Sequence, residues 1–312
     1  MRGAGALLVG ILVAGGACGD DDGGDDDDGL LPDAGEEPDA APDAAGGGVF
    51  DERPYQVLVP DSYDAESPTP LVVLLHGYSA TGLVQLAYFG LEDVAQEQGL
   101  LVAYPDGTVD GMGNQFWNAT DACCDFSASG IDDVAYLTAL VDDVAARYNV
   151  DPARVYMVGH SNGGFMSHRM ACDRADRVAA IVSLAGATWA DQAQCQPSEP
   201  VAILQVHGDD DATILYAGGE ITGNAYPAAT DTVASWAELN GCKGKIEATE
   251  TRLDLDAQVA DDETRVDRFA DCPSTSAEVE LWTIETGSHV PSLIRPIWPE
   301  TIVGFLLAHP KK

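Results

Sequence analysis

Short apolar runs and longer amphipathic stretches follow one another along most of the chain. The apolar runs have the length of buried strands, and the amphipathic stretches have helical periodicity. Strands are predicted at 55–60, 70–77, 100–107, 178–186, 201–208 and 279–284, and residues 155–164 combine a strand, a turn and the start of a helix. Helices are predicted at 83–98, 132–148, 229–239 and 299–309. This order predicts an α/β fold with a mostly parallel central sheet and helices on both faces.

Two segments depart from this alternation. Residues 106–130 form a long polar loop, and long loops in compact domains are usually functional. Residues 243–278 are polar and irregular, which we interpret as an excursion from the sheet. The pattern shows no internal repeat and no second domain, so residues 49–312 are predicted to form one domain.

The first 48 residues differ in composition from the rest. Residues 1–18 contain one Arg and an apolar run that ends in Cys18, which predicts an export signal too short to be a spanning helix. The small residues before Cys18 resemble the lipobox of bacterial lipoproteins, which predicts cleavage before Cys18 and its lipidation. An ordinary signal peptide cut nearby is the alternative. Residues 19–48 hold 12 acidic residues and no Lys or Arg, and are predicted to be a disordered tether.

The net charge is −37, and the acidic tether accounts for only part of it. Residues 49–312 keep 14 basic against 40 acidic residues, a net charge of −26. This excess disfavours a nucleic-acid partner and a strongly anionic substrate. We expect an exported monomer that is either secreted or held at the bacterial cell envelope by its N-terminal lipid, its only membrane contact.

Six cysteines follow Cys18, and an even number in an exported chain favours disulfides over free thiols. Residue spacing alone leaves their pairing open. No C-x-x-C pair is present and the histidines lack zinc-ligand spacing, so neither a metal nor a cofactor is predicted.

The sequence GHSNG, Gly159–Gly163, matches the G-x-S-x-G nucleophile elbow. A predicted strand precedes it and a helical pattern follows, which is the context that the motif requires. Ser161 is therefore the candidate nucleophile, at a turn whose helix N-terminus favours negative charge. The alternative is a glycine-rich turn with a serine that only faces solvent.

A serine hydroxyl needs a base, and in this motif's fold the partners follow in the order Ser, acid, His. His289 comes directly after the predicted strand 279–284 and is the best candidate for the base. His168 is expected to point away on its helix, His207 to pack in the sheet, and His309 lies near the C-terminus.

Three neighbouring aspartates, Asp209, Asp210 and Asp211, follow the predicted strand 201–208. One of them would orient the imidazole and stabilise its charged form. Nothing in the residue pattern chooses among the three.

Two backbone N–H groups are needed to stabilise an oxyanion. The residue after the nucleophile, Asn162, is expected to supply one. The loop after an early strand, residues 74–82, is expected to supply the other at Tyr78, while His76 and Gly77 shape the turn. A purely structural role for this loop is the alternative.

The chain resembles the esterases grouped with polyhydroxybutyrate depolymerases and with feruloyl and acetylxylan esterases of carbohydrate esterase family 1. The resemblance runs from about residue 54 to 308. It rests on these segments in order: PLVVLLHG, AYPDGT, FWNA…CC, GIDDVAYL, DPARVYMVGHSNGG, VHGDDDATILYAGG and WTIETGSHVP. It implies the α/β-hydrolase fold and serine-dependent ester hydrolysis.

The resemblance also implies roles for single residues. The family pattern H-G-x-x-D, followed by Y-x-G-G, selects Asp211 as the acid. A Cys242–Cys272 disulfide is implied. Trp117 and Asn118 in the long loop are candidate pocket residues, and a structural role for both is the alternative. Relatives often have G-G-H-x-W-P-G around the histidine, whereas Val290 follows His289 here without the tryptophan, so the acyl specificity does not follow from the resemblance.

The expected reaction is acyl transfer to water by Ser161, His289 and Asp211, without a cofactor or metal. Expected substrates are feruloyl or acetyl esters of plant polysaccharide, hydroxyalkanoate oligomers or other small esters. A serine peptidase on the same fold, a non-catalytic surface-binding lipoprotein and a metal-binding lipoprotein that uses the acidic tether are the alternatives.

Overall fold

The structure is a computed structural model that describes residues 49–311. The predicted export signal (1–18), with Cys18, and the predicted tether (19–48) lie outside the described residues. No helix within residues 49–311 has the length and apolar character needed to cross a membrane.

The predicted alternation of strands and helices is present. The strands are β1 Tyr55–Leu58, β2 Thr69–Leu75, β3 Leu101–Pro105, β4 Thr108–Val109, β5 Gln115–Phe116, β6 Val150–His160, β7 Ala180–Leu184, β8 Ala202–Gly208, β9 Gly219–Ile221, β10 Asn224–Tyr226, β11 Ile246–Leu253, β12 Thr264–Phe269 and β13 Val279–Ile284. The helices are α1 Val49–Glu52, α2 Gly82–Phe89, α3 Leu91–Gln98, α4 Asp133–Arg147, α5 Asn162–Asp173, α6 Ala229–Leu239 and α7 Ile297–Ala308.

Among the described residues, nine strands pair into one sheet in the order β1-β3-β2-β6-β7-β8-β13-β12-β11. The central strands β3, β2, β6, β7, β8 and β13 are parallel. The outer strands β1, β12 and β11 pair antiparallel with their neighbours. The mostly parallel sheet of an α/β-hydrolase fold is confirmed.

The two faces of the sheet bury separate hydrophobic clusters. Successive side chains of a strand point to opposite faces, so Val73 and Leu75 of β2 join one cluster while Val72 and Leu74 join the other. Helices α4, α5 and α6 cover the first face with side chains that include Leu137, Phe165 and Trp236. Helices α2, α3 and α7 cover the second with side chains that include Phe89, Val94 and Trp298. Continuous apolar runs such as β2 are needed because both faces are buried.

The predicted helix at 83–98 is two helices. Gly90 adopts a left-handed backbone conformation with a φ of 65°, which ends α2 and starts α3. Glycine takes this conformation without the steric cost that other residues incur.

The interpretation of 243–278 as an irregular excursion was wrong in part, because β11 and β12 lie within it. These strands extend the sheet beyond β13 as an antiparallel pair. Strand β11 lies at the edge and most of its side chains are exposed or half-buried, so it lacks the apolar run of a central strand.

Three disulfides join the six cysteines that follow Cys18. They are Cys123–Cys124, Cys172–Cys195 and Cys242–Cys272. The last is the pair that the family resemblance implies. Three disulfides in one domain are consistent with folding in an oxidising compartment and thus with export.

Candidate active site

Ser161 lies at the turn between β6 and α5, in a conformation that few non-glycine residues adopt. Its φ is 53° and its ψ is −119°. Such a backbone costs about 1–3 kcal/mol and persists only where the surrounding structure enforces it. The Ser161 N–H donates to Leu184 O at 2.8 Å, and its carbonyl accepts from Phe165 N at 3.0 Å. The turn is therefore held from β7 and from the first turn of α5.

The glycines of the G-x-S-x-G motif allow backbone segments to approach each other closely. A side chain on Gly159 would overlap the backbone of Gly163, and a side chain on Gly163 would overlap the carbonyl of Leu75 at the end of β2. Helix α5 can therefore start directly against the sheet, with Ser161 above the carboxyl edge of the strands.

Ser161, His289 and Asp211 form a continuous hydrogen-bonded array. Ser161 Oγ lies 2.9 Å from His289 Nε2, and His289 Nδ1 lies 2.7 Å from Asp211 Oδ2. A carboxylate only accepts, so Nδ1 carries the ring proton and Nε2 is left to accept from the serine hydroxyl. This arrangement suits a general base that removes a proton from Ser161.

The acid and the base come from neighbouring parallel strands. Strand β8 ends at Gly208, which lies opposite Ile284 at the end of β13. The loops that follow these strands therefore start side by side and carry Asp211 and His289 to the same edge of the sheet. Close approach also matters here, because a side chain on Gly208 would overlap the backbone of Gly287.

Burial and hydrogen bonding distinguish Asp211 from its two neighbours. Asp209 and Asp210 are exposed, and Asp209 accepts from the Thr286 N–H, whereas Asp211 is only 4% exposed. Asp211 Oδ1 accepts from the N–H groups of Thr213 and Ile214 at 2.8 and 2.9 Å.

Asp211 is held in its charged form. Burial disfavours the charge, but hydrogen bonds from His207 and His289 outweigh burial and hold the pKa of the Asp211 carboxyl below its usual value. An ionised Asp211 can stabilise the imidazolium that forms when His289 accepts a proton.

His160, the residue before the serine, supports the loop that carries His289. Its Nε2 donates to the backbone carbonyl of His289 at 2.8 Å, and the two rings lie 5.0 Å apart. Burial, followed by the nearby charge of His289, lowers the pKa of His160 to about 4. His160 is therefore neutral at ordinary pH.

The two expected oxyanion donors flank the serine. Tyr78 lines the cleft beside Ser161, and Asn162 is the first residue of α5. Within residues 49–311, neither backbone N–H has a hydrogen-bond partner. The first N–H groups of a helix have no partner within the helix, which leaves the Asn162 N–H available to an oxyanion.

Trp117 does not line the cleft, which corrects the prediction that it is a pocket residue. It is 0% exposed. Its backbone N–H donates to Asn162 Oδ1 at 2.7 Å, and Asn162 Nδ2 donates to its carbonyl at 2.9 Å. Its indole N–H donates to His76 O at 3.1 Å. Trp117 thus ties the loop that carries Tyr78 to the start of α5, behind both expected oxyanion donors.

Asn118 also lies away from the cleft. Its backbone N–H donates to Asp133 Oδ2 at 2.7 Å, and its side chain donates to Ile131 O at 2.8 Å. Asp133 in turn pairs with Arg53 at 2.7 Å. By sequence, an aromatic residue and an amide in a long loop could either line a pocket or hold the loop in place. Here Trp117 and Asn118 hold the loop in place.

A cleft of about 410 Å³ opens beside Ser161. The residues that line it are Gly77, Tyr78, Ala80, Val84, Gln85, Tyr88, His160, Ser161, His289 and Val290. Its walls are mostly aromatic and aliphatic, as in sites that bind small organic molecules. Sequence reasoning missed Val84, Gln85 and Tyr88, which come from α2 and carry no motif, whereas His160 lies within the elbow motif itself.

No cluster of three or more His, Cys, Asp or Glu side chains in the described part of the chain has the arrangement of a metal site. Ser161, His289 and Asp211 are hydrogen-bonded to one another, and the chemistry that these groups support is proton transfer and nucleophilic attack.

Comparison with known proteins identifies the family. A model of the phospholipase/carboxylesterase family matches residues 62–239. This match covers more than half of the chain, and the chain belongs to that family.

Two curated relatives are feruloyl esterases by name. Feruloyl esterase B of Piromyces equi is 29% identical over 201 residues, which cover 62% of this chain and 36% of the relative. Feruloyl esterase C of Emericella nidulans is 30% identical over 181 residues, which cover 56% of this chain and 60% of the relative. The chain spans less than two thirds of the length of either. The resemblance to feruloyl esterases is confirmed, and that to polyhydroxybutyrate depolymerases stays a prediction.

A solved structure shows the same fold. The acetyl xylan esterase from Aspergillus awamori superimposes with a TM-score of 0.55 over 81% of this chain and 93% of its own, at 15% identity. At this identity the likeness supports the α/β-hydrolase fold alone.

The elbow depends on the missing side chain of Gly163, which gives a first prediction. Gly163→Ala is expected to lower kcat by about 100-fold or more, because the new methyl group displaces α5 from β2 and moves Ser161. The measurement is the rate of p-nitrophenyl acetate hydrolysis together with Tm. Gly304→Ala is the matched control, because Gly304 lies in α7 with open space around it and alanine favours a helix there. Equal effects of the two substitutions would contradict the close approach at Gly163.

Two buried histidines that stay neutral predict how the stability of the protein depends on pH. Burial lowers the pKa of both His160 and His168 from the usual 6.5 to about 4. As the pH falls from 6.5 towards 4, the unfolded chain binds protons that the folded protein does not. The free energy of unfolding is therefore expected to fall by roughly 1 kcal/mol per pH unit for each histidine.

Urea unfolding between pH 7 and pH 5 measures this effect. His168→Gln should lower stability overall but make its dependence on pH shallower. An unchanged slope in this variant would show that His168 is not held neutral by the fold.

Proposed function

We propose that this member of the phospholipase/carboxylesterase family is an exported serine esterase that hydrolyses carboxylic esters through an acyl-enzyme on Ser161. The observation that carries the proposal is the hydrogen-bonded array of Ser161, His289 and Asp211 at a nucleophile elbow. The N–H groups of Tyr78 and Asn162, which have no hydrogen-bond partner within residues 49–311, support it, because they flank the serine where an oxyanion would form.

In the proposed reaction His289 Nε2 takes the Ser161 proton as Oγ attacks the ester carbonyl. The N–H groups of Tyr78 and Asn162 stabilise the tetrahedral oxyanion. His289 then gives its proton to the leaving alcohol, which leaves an acyl group on Ser161 Oγ. A water molecule gives a proton to His289 and attacks this acyl group, and the proton returns to Ser161 as the acid departs. Asp211 stabilises the imidazolium in both halves of the reaction.

The proposed substrates are esters of aromatic acids or of small acids that carry an oxygen substituent. Feruloyl esters are the leading candidates. Tyr78, Tyr88, Val84 and Val290 give the cleft apolar walls, and its volume suits an aromatic acyl group. Gln85 adds the one side-chain amide among the residues that line the cleft. The names of the curated relatives point to the same substrates.

Export is part of the proposal. The three disulfides support it. We further propose that a lipid on Cys18 anchors the protein, and this part of the proposal rests on the sequence before that residue.

The test is a set of initial rates for the purified protein with p-nitrophenyl acetate, methyl ferulate, methyl cinnamate and a 3-hydroxybutyrate oligomer. We expect methyl ferulate to be the preferred methyl ester. Ser161→Ala should lower kcat by roughly 10⁴-fold or more while Tm stays close to that of the parent protein, because only the nucleophile is removed. Ser127→Ala, an exposed serine away from the cleft, is the matched control and should keep full activity.

The other outcomes identify the alternatives. Preference for the oligomer over the methyl esters would indicate polyester degradation. Turnover of peptide amides alone would indicate a serine peptidase. Full ester hydrolysis by Ser161→Ala would contradict the proposal, and inactivity of the parent protein on all these substrates would favour a binding function.

A further inference from the structure

A second histidine contacts the carboxylate of Asp211. His207 Nε2 lies 3.3 Å from Asp211 Oδ2 and 2.8 Å from Ile214 O. Both oxygens only accept hydrogen bonds, so Nε2 must carry the ring proton. The N–H makes its well-aligned hydrogen bond to Ile214 O and a longer, less direct contact with Asp211 Oδ2, so it contacts both ends of the turn from Asp211 to Ile214. The side chains of His207 and Asp211 are 1% and 0% exposed.

The other ring nitrogen of His207 connects to a buried chain of hydrogen bonds. Gln205 Nε2 lies 3.2 Å from His207 Nδ1 and 2.9 Å from Gly186 O. Gln205 Oε1 accepts from His168 Nε2 at 2.9 Å, and His168 Nδ1 accepts from Trp236 Nε1 at 2.9 Å. An indole N–H only donates, so the direction of every bond is fixed from Trp236 onward.

These four side chains lie within the hydrophobic cluster under α5 and α6. His168, Gln205 and Trp236 are 0% exposed. All their polar atoms have partners, in contrast to other buried polar atoms such as Trp298 Nε1. A buried polar network whose members are all paired holds its side chains in one arrangement.

We propose that Trp236, His168, Gln205 and His207 form a positioning relay that keeps the ring proton of His207 on Nε2 and thereby fixes Asp211 for His289. The relay rests on the proposed esterase function, because it acts on the reaction only through Asp211. His207 is a positioning residue here, since it lies behind Asp211 and does not line the cleft.

The relay has a consequence for the pH dependence of catalysis. A hydrogen bond from His207 takes up part of the Asp211 charge, so its removal leaves more charge to favour a protonated His289. The acidic limb of the pH profile of kcat/KM should then move to higher pH. The titratable groups around this site are His160, which faces His289 and Asp211, and Tyr216, which packs edge-on against His207. Asp209 and Arg265 act on Tyr216 from farther out.

The first experiment compares two substitutions at His207 that place a side-chain amide at different distances from the backbone. The side-chain amide of His207→Gln can occupy the position of Nε2, whereas that of His207→Asn reaches only the position of Nδ1. For His207→Asn we expect kcat/KM for p-nitrophenyl acetate to fall by roughly tenfold or more, mainly through kcat. The acidic limb should move up by about half a pH unit. His207→Gln should restore most of the rate and the original limb.

His309→Asn is the matched control. His309 is also buried and hydrogen-bonded, to Phe305 O and Glu278, but lies in the C-terminal region away from Asp211. It should lose stability without a change in the acidic limb. Two results would contradict the relay. One is an unchanged acidic limb of the pH profile in His207→Asn. The other is a loss of kcat/KM in both His207 variants that is fully explained by their lower Tm.

The second experiment needs neither a variant nor activity. Nitrogen NMR of the imidazole rings in the intact protein should show the Nε2-protonated tautomer for both His168 and His207. A His207 that is protonated at Nδ1 would overturn the relay. An inactive protein with the expected tautomers would instead count against the esterase proposal, so the two failures can be told apart.

Discussion

The close contact between the start of α5 and the end of β2 is the constraint on which the site depends. Gly163 lies against the carbonyl of Leu75 with no room for a side chain, and Gly159 lies against Gly163 in the same way. This contact forces Ser161 into its unusual backbone conformation and points it away from the sheet. The hydrogen bond from Ser161 N to Leu184 O then ties the turn to the next strand. The strained backbone at this turn thus costs some free energy but fixes the position of the Ser161 hydroxyl group.

The remaining groups of the site reach Ser161 through the parallel sheet. Because β8 and β13 are parallel neighbours, their loops bring Asp211 and His289 together at the edge where the elbow lies. Trp117 links the Tyr78 loop to Asn162 from behind, so the two expected oxyanion donors are held by one buried side chain and its backbone. Ser161, His289 and Tyr78 line the cleft, while Trp117 lies in the core.

Much of the fold and the centre of the site could be predicted from the sequence. The parallel strands are buried on both faces and leave continuous apolar runs, and the elbow motif follows such a run directly. The choice of Asp211 over Asp209 and Asp210 needed the family resemblance, because burial of one of three adjacent aspartates depends on the turn after β8.

What the sequence could not predict depends on contacts between distant residues. Edge strand β11 is too exposed to leave an apolar pattern. Trp117 was placed in the pocket because a loop position does not tell which way an indole points. His168 was expected to point away from the serine and His207 to pack in the sheet, but their connection through Gln205 joins α5 to β8 and has no signature along the chain.

Covalent labelling is the most direct test of whether the elbow makes Ser161 a nucleophile. The purified protein would be treated with a fluorophosphonate probe, digested and analysed by peptide mass spectrometry. We expect one adduct per chain, on the peptide that contains Ser161, and none after prior unfolding in urea. An adduct on a different residue, or no adduct on the folded protein, would contradict this expectation.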